Sequence, residues 1–313
     1  MSATAASAQD PSPSAPGVLN WVLVIGLGVI WGTAFMSGAL ALEGYGPWWV
    51  AAGRTGLAAL TLAIAGPFVG QGLGRLEGRR IWGFAIVIGV GAIAVPFAVL
   101  AWALQYVPSA FAGVAMGAVP LLTLPLIAIF SPEEGIGPRR IAGVCLGFVG
   151  LALLVGPGAF EGGSFAGRMG CIVVASCYAV GSILTRRAPK APPVAFATAT
   201  MIAGAIVLLP VAFVLEGPPP LDAGWPLLAL IYLAILPTGA AAIIRVRVIS
   251  TAGSLFMGLT SYMVPVWSVI FGITLMGETL PRALFYALGL ILAGILLIQW
   301  RSIMAALRRE PPA

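Results

Sequence analysis

A chain of 313 residues that is 60% hydrophobic and 8% charged, with a net charge of +6 and a mean hydropathy of +1.06, is not a soluble domain, which would hold about 25% charged residues. The composition requires a polytopic helical membrane protein, and the positive charge then belongs to cytoplasmic loops and not to a nucleic-acid surface. There is no histidine, so hydrolase arrangements and metal chemistry that need an imidazole are excluded, and no cofactor or metal is expected.

Residues 1–17 are rich in Ala, Ser and Pro and contain no Lys or Arg. They read as a disordered cytoplasmic N-terminus and not as a signal peptide. Ten apolar segments of bilayer-spanning length follow, at 18–41, 47–69, 81–104, 108–130, 139–155, 167–186, 193–215, 225–248, 252–276 and 281–300. Polar, glycine and proline clusters separate them, among them EGYGP (43–47), SPEEGIGPRR (131–140) and RRAPKAPP (186–193). GPGAFEGGS (156–164) marks the boundary between two halves, with 156–166 as an external linker and 301–313 as a cytoplasmic tail. The turns at Tyr106–Ser109 and Ser250–Gly253 are short and make hairpins of segments 3–4 and 8–9. Cys145, Cys171 and Cys177 fall inside apolar segments at no metal or disulfide spacing.

The two halves repeat. SAFAGVAMGAVPLL (109–122) and SLFMGLTSYMVPVW (254–267) lie 145 positions apart and agree at Ser109/Ser254, Phe111/Phe256, Gly113/Gly258, Val119/Val264 and Pro120/Pro265. Both reach a glutamate at the same offset, Glu133 and Glu278. Self-similarity of this kind signals two copies of one unit. With the N-terminus inside, Arg75, Arg79, Arg80, Arg139, Arg140, Arg186, Arg187, Lys190, Arg245, Arg247, Arg301, Arg308 and Arg309 all fall on the inner side, and only Arg168 and Arg282 fall outside. Five helices per copy is an odd number, so residues 18–155 and 167–300 form two inverted five-helix repeats, an architecture whose matched broken helices point to a transport site.

Once loops and helix ends are set aside, one charge remains within the membrane. Arg54 sits seven residues past Pro47, about 10 Å inward from the outer end. An intramembrane arginine marks a functional site, or else ties its helix to backbone carbonyls or to a carboxylate such as Glu43 or Glu278. All ten acidic residues map to loops or helix ends, so the carboxylate relay of a proton-driven pump is missing. Further substrate-binding candidates stand where they can line a cavity: Trp31 and Thr33 on helix 1, Trp102, Gln105 and Tyr106 on helix 3, Tyr178 and Ser182 on helix 6, and Thr260, Ser261 and Tyr262 on helix 9. For each the alternative is an interfacial aromatic or a hydroxyl bonded to its own helix. Pro120 and Pro265 are candidate hinges, because a mid-helix proline removes a backbone bond, and Glu278 joins them as a gating candidate. GxxxG spacings at Gly28/Gly32, Gly113/Gly117 and Gly143/Gly147 pack helices closely within the bundle or join two copies as a homodimer.

VIWGTAF (29–35), GRTGLAAL (53–60), LPTGAAAII (236–244) and the run from AGSLF to MGETL (252–280) make the chain resemble the EamA-type transporters of the drug/metabolite transporter superfamily. The resemblance implies ten helices in two inverted repeats, a central cavity walled by helices 1–4 and 6–9, and helices 5 and 10 at the periphery. It implies transport of amino acids, nucleosides, amines or other metabolites. Two departures stand out: SPEE (131–134) replaces the usual Gly-Glu after helix 4, and Arg245 and Arg247 interrupt the end of helix 8. The expected activity is therefore export of small metabolites by alternating access across the cytoplasmic membrane, both termini inside. The alternatives are a lipid-modifying membrane enzyme, for which the paired acidic motif is missing, and a non-transporting scaffold, for which the loops are too short.

Overall fold

The structure, a computed structural model, describes residues 16–130, 137–156, 164–220 and 224–307. Among these the regular elements are helical: α1 (Val18–Ala41), α2 (Pro47–Phe68), α3 (Arg79–Ala103), α4 (Ser109–Ile129), α5 (Pro138–Val155), α6 (Phe165–Arg187), α7 (Pro193–Glu216), α8 (Trp225–Ser254), α9 (Thr260–Thr274) and α10 (Arg282–Leu307). Nine have the length and hydropathy to cross a bilayer, and α9 is a shorter apolar helix entered through the turn of helix at 254–257. Prolines at the first turns of α2, α5, α7 and α8 set the helical φ where no N–H is needed. Leu60, Ile64 and Phe68 on α2 and Ile206, Val214 and Leu215 on α7 point outward and exposed, apolar faces that only lipid can cover.

Helical backbone in α8 runs to Ala252, four residues beyond the predicted end, and the predicted four-residue turn narrows to Gly253. Gly253 alone reverses the path, at φ 87° and ψ 162°, a conformation that a side chain would forbid. The helices matched by the sequence repeat cross one another antiparallel. Near the start of α5, Gly143 meets Gly294 and Ile298 of α10, while farther along Gly150 meets Leu290 and Ala287. The start of α2 meets the end of α7, and the loop after α2 meets the start of α7. α1 packs on α8 and α9, and α6 packs on α3 and α4, the same relation in the other half.

A second correspondence is invisible in composition. α3 contains a π turn at Gly89–Ala94 and α8 one at Ile235–Ala240, offset by 146 residues. α4 is interrupted at Met116–Gly117, where Val119 N–H donates to the Met116 carbonyl because Pro120 cannot. The turn of helix at 254–257 is separated from α9 at Gly258–Leu259, well before Pro265, which lies inside continuous helix. The repeated prolines therefore do not mark matching breaks. The first half of α4 is wholly buried, between α1, α6 and α9. The glycine pairs all face neighbours in the same chain: Gly28 and Gly32 against Met263 and Trp267, Gly113 and Gly117 against Ser268 and Ile291, Gly143 and Gly147 against α10 and Leu121.

Candidate functional site

Arg54 lies on α2 two turns from its start. Its Nε donates to Thr238 Oγ1 at 3.0 Å, and its guanidinium carbon stands 3.8 Å from the centre of the Phe97 ring, a cation–π contact. The π turn of α8 explains why Thr238 can serve. Pro237 has no N–H for the Leu233 carbonyl, and the Thr238 hydroxyl donates to that carbonyl at 2.8 Å, leaving its lone pairs for Arg54. The Pro237 carbonyl is taken by Trp31 Nε1 at 3.0 Å. Two residues along α1, Thr33 Oγ1 and Tyr232 Oη share a hydrogen bond of 2.8 Å. Four helices thus converge on one arginine, and Tyr178 of α6 lies within its electrostatic reach.

No carboxylate pairs with Arg54 among the described residues. Its Nη atoms make no hydrogen bond there, yet neither is a sealed, unpartnered atom. They open onto a narrow cavity between Ala34 and Gly38 of α1, Ala51 of α2, Leu100 and Leu104 of α3, and Leu233 of α8. Its volume is about 10 Å³, room for about one water. A planar fork with free N–H groups in apolar surroundings can take a carboxylate or phosphate in two parallel hydrogen bonds.

The other candidates divide. Trp31 and Thr33 bond α8 at Pro237 and Tyr232, and Tyr178 is electrostatically coupled to Arg54. Ser182 and Thr260 spend their hydroxyls on the Ala179 and Met257 carbonyls of their own helices. Ser261 is half-buried, and the neighbouring Tyr262 hydroxyl is buried without a partner. Trp102 and Tyr106 pack on each other with ring centres 5.1 Å apart, 37% and 44% exposed. With Gln105, which donates to the Trp102 carbonyl, they sit at the exposed end of α3 and not beside Arg54. Pro265 packs near Gly117 where α4 and α9 cross. Glu278 accepts from Ser109 N at 2.6 Å and Ala110 N at 3.0 Å, capping α4 from the end of α9. Its sequence partner Glu133 lies outside the described residues.

Sequence reasoning missed Thr238, Phe97, Glu216 and Gln71. Glu216 accepts from Trp48 N at 3.0 Å and Trp49 N at 2.9 Å, clasping the start of α2. At the other end of the same pair, Val194 N donates to Gln71 Oε1 at 2.9 Å. The available signal was position: each side chain follows an apolar segment whose repeat counterpart begins with proline. Among the described residues no group of three His, Cys, Asp or Glu side chains could hold a metal.

With the geometry in place, the chain can be set beside known proteins. Residues 19–156 and 166–300 match the model of the EamA-like transporter family. The uncharacterized inner membrane transporter YedA of Escherichia coli K12 is 28% identical over 86% of this chain and 87% of its own. The aromatic amino acid exporter YddG of Ancylobacter novellus is 29% identical over 76% of this chain and 85% of its own. A solved crystal structure with 22% identity superposes over 92% of this chain and 98% of its own at a TM-score of 0.66, a likeness of fold.

Proposed function

The chain belongs to the EamA-like transporter family, and from that premise we propose that it is a secondary transporter that exports small polar metabolites, amino acids or similar compounds, by alternating access. The family and the relatives above are transporters, so the chain is not an enzyme and the lipid-modifying reading falls away. The observation that carries the proposal is the half-free guanidinium of Arg54, held by Thr238 and Phe97 with its terminal nitrogens open to a cavity. Arginine stays charged at any physiological pH. It therefore acts as a fixed partner for an anionic group on the cargo and not as a proton carrier.

Residues 18–155 and 167–300 serve as two inverted repeats, a reading supported by the antiparallel crossings of matched helices and by the paired π turns. The present state is too tight for any metabolite, since the cavity takes about one water. One end is held shut by Glu216 on α2 and Glu278 on α4. The reading in which that end faces outward and both termini lie in the cytoplasm of a bacterial cell is supported by Arg75, Arg79, Arg80, Arg186, Arg187 and Lys190, which gather at the other end. Release of the Glu278 cap from α4 while the basic end closes, with the Glu216 clasp of α2 and α7 left in place, would carry the cavity from one side to the other.

The test is Arg54→Ala in proteoliposomes challenged with a metabolite mixture, with protein amounts matched by size exclusion. Carboxylate- and phosphate-bearing cargo should lose most of its flux, and Arg54→Lys should recover only part, since the planar fork is gone. Normal flux in Arg54→Ala would overturn the role given to Arg54.

A further inference from the structure

The charges around Arg54 narrow the cargo further than family membership does. The described acidic residues, Glu43, Glu77, Glu216 and Glu278, all lie at helix ends or in loops, and the last two are engaged on the starts of α2 and α4. The cavity wall is alkyl and aromatic apart from the guanidinium: Ala34, Ala51, Phe97, Leu100, Leu104 and Leu233. Its nearest polar neighbours, Thr238 and Tyr178, are uncharged. On the same face of α8, two turns toward the basic end, Arg245 is exposed and has no carboxylate partner among the described residues. Among the described residues the cavity wall itself therefore carries one cation and no anion.

We propose that this cavity selects organic monoanions, a single carboxylate on an apolar body, over zwitterionic amino acids of the same size and shape. The inference rests on the transport reading above and deepens it. A carboxylate satisfies the Arg54 fork and cancels its charge, so the occupied site is neutral. A zwitterion brings the same carboxylate together with an ammonium. That ammonium would be desolvated among leucines and alanines, with no anion among the described residues to receive it and a guanidinium nearby. Removing one member of a buried charge balance is the costly case, because the remaining charge has neither water nor a partner. The apolar lining binds the body of either molecule equally, and so does not discriminate between them.

The experiment uses the full chain in proteoliposomes and compares phenylpyruvate with phenylalanine, and 4-methyl-2-oxopentanoate with leucine. Each pair differs by an oxo group in place of the ammonium. Counterflow of the oxo acids should exceed that of the amino acids by about tenfold or more, and the oxo acids alone should raise the melting temperature of the detergent-purified protein. Arg54→Gln should abolish the preference. Equal or greater counterflow of phenylalanine and leucine overturns the inference and leaves the transporter reading standing. Transport of none of the four also overturns it, and the metabolite mixture presented to the same vesicles then decides whether the transporter reading falls with it.

Discussion

Two antiparallel crossings relate matched helices through the centre of the molecule, and they are built differently. The α2/α7 crossing is held at both ends, by Glu216 on Trp48 and Trp49 and by Gln71 on Val194. Both helices run without interruption, and Ala52, Ala58 and Leu62 of α2 share one buried cluster with Leu208 and Ala212 of α7. The α4/α9 crossing is held by Glu278 at one end; α4 is interrupted at Met116–Gly117, and α9 is entered through a turn of helix broken from it at Gly258–Leu259. α7 carries Pro210 and α2 carries Pro67, yet neither helix is broken, whereas a broken helix has places where φ and ψ can change. The contrast assigns the frame, with Arg54 on it, to α2/α7 and the moving part to α4/α9.

The strongest challenge to that assignment compares the two carboxylate caps. Glu278→Ala and Glu216→Ala each remove an anion from two helix-start N–H groups, and each should destabilise the protein by about 1–2 kcal/mol, seen as a lower melting temperature in detergent. Their effects on flux should part. With amounts matched, Glu278→Ala should reduce transport about tenfold, because the closed state of the moving pair is lost, while Glu216→Ala should stay within about twofold of the parent. Equal losses of transport would erase the distinction between the two crossings.

The prolines give a smaller contrast. Pro120→Ala restores an N–H that can reach the Met116 carbonyl and mend the break in α4. Turnover should fall about threefold to tenfold with ligand affinity nearly unchanged, since gating and not binding is affected. Pro265 lies in continuous helix, so Pro265→Ala should alter turnover by less than about twofold. Transport rates alongside thermal-shift titrations separate the two effects. A larger loss of turnover at Pro265 would move the hinge from α4 to α9.

What could be read from the residues alone follows from how membranes constrain a chain. Segment number was legible because each span must be apolar for about 20 residues, and Arg54 stood out as a charge inside such a span, with a cargo site and a tie between helices both open as its role. The facing of side chains was not. A helix surrounded by lipid is apolar on every side, so periodicity does not separate Trp102, which points outward, from Trp31, which bonds the Pro237 carbonyl. The π turns were equally hidden, since one extra residue per turn leaves no compositional mark, and with them Thr238. Glu216 and Gln71 were read as loop residues because their partners are more than 100 positions away, and capping of one helix by the end of another is settled only by tertiary packing.

The smallest predicted effect bears on the frame itself. Gln71 caps α7 with an amide where Glu216 caps α2 with a carboxylate. An uncharged acceptor contributes its hydrogen bond and no interaction with the helix dipole, so Gln71→Ala should cost about 0.5–1 kcal/mol. Gln71→Glu is the more telling variant. It places a negative charge at the start of α7, at the end of the molecule where Arg75, Arg79, Arg80 and Lys190 gather, and should stabilise by about 0.5 kcal/mol, less at high salt. If α2 and α7 keep their relation throughout the cycle, a tighter clasp at this end adds stability to every state alike and leaves turnover unchanged. A uniform gain cannot alter the difference between states. Slower transport by Gln71→Glu at unchanged folding would mean that the clasp must open during the cycle, and the α2/α7 crossing would then be a second moving part.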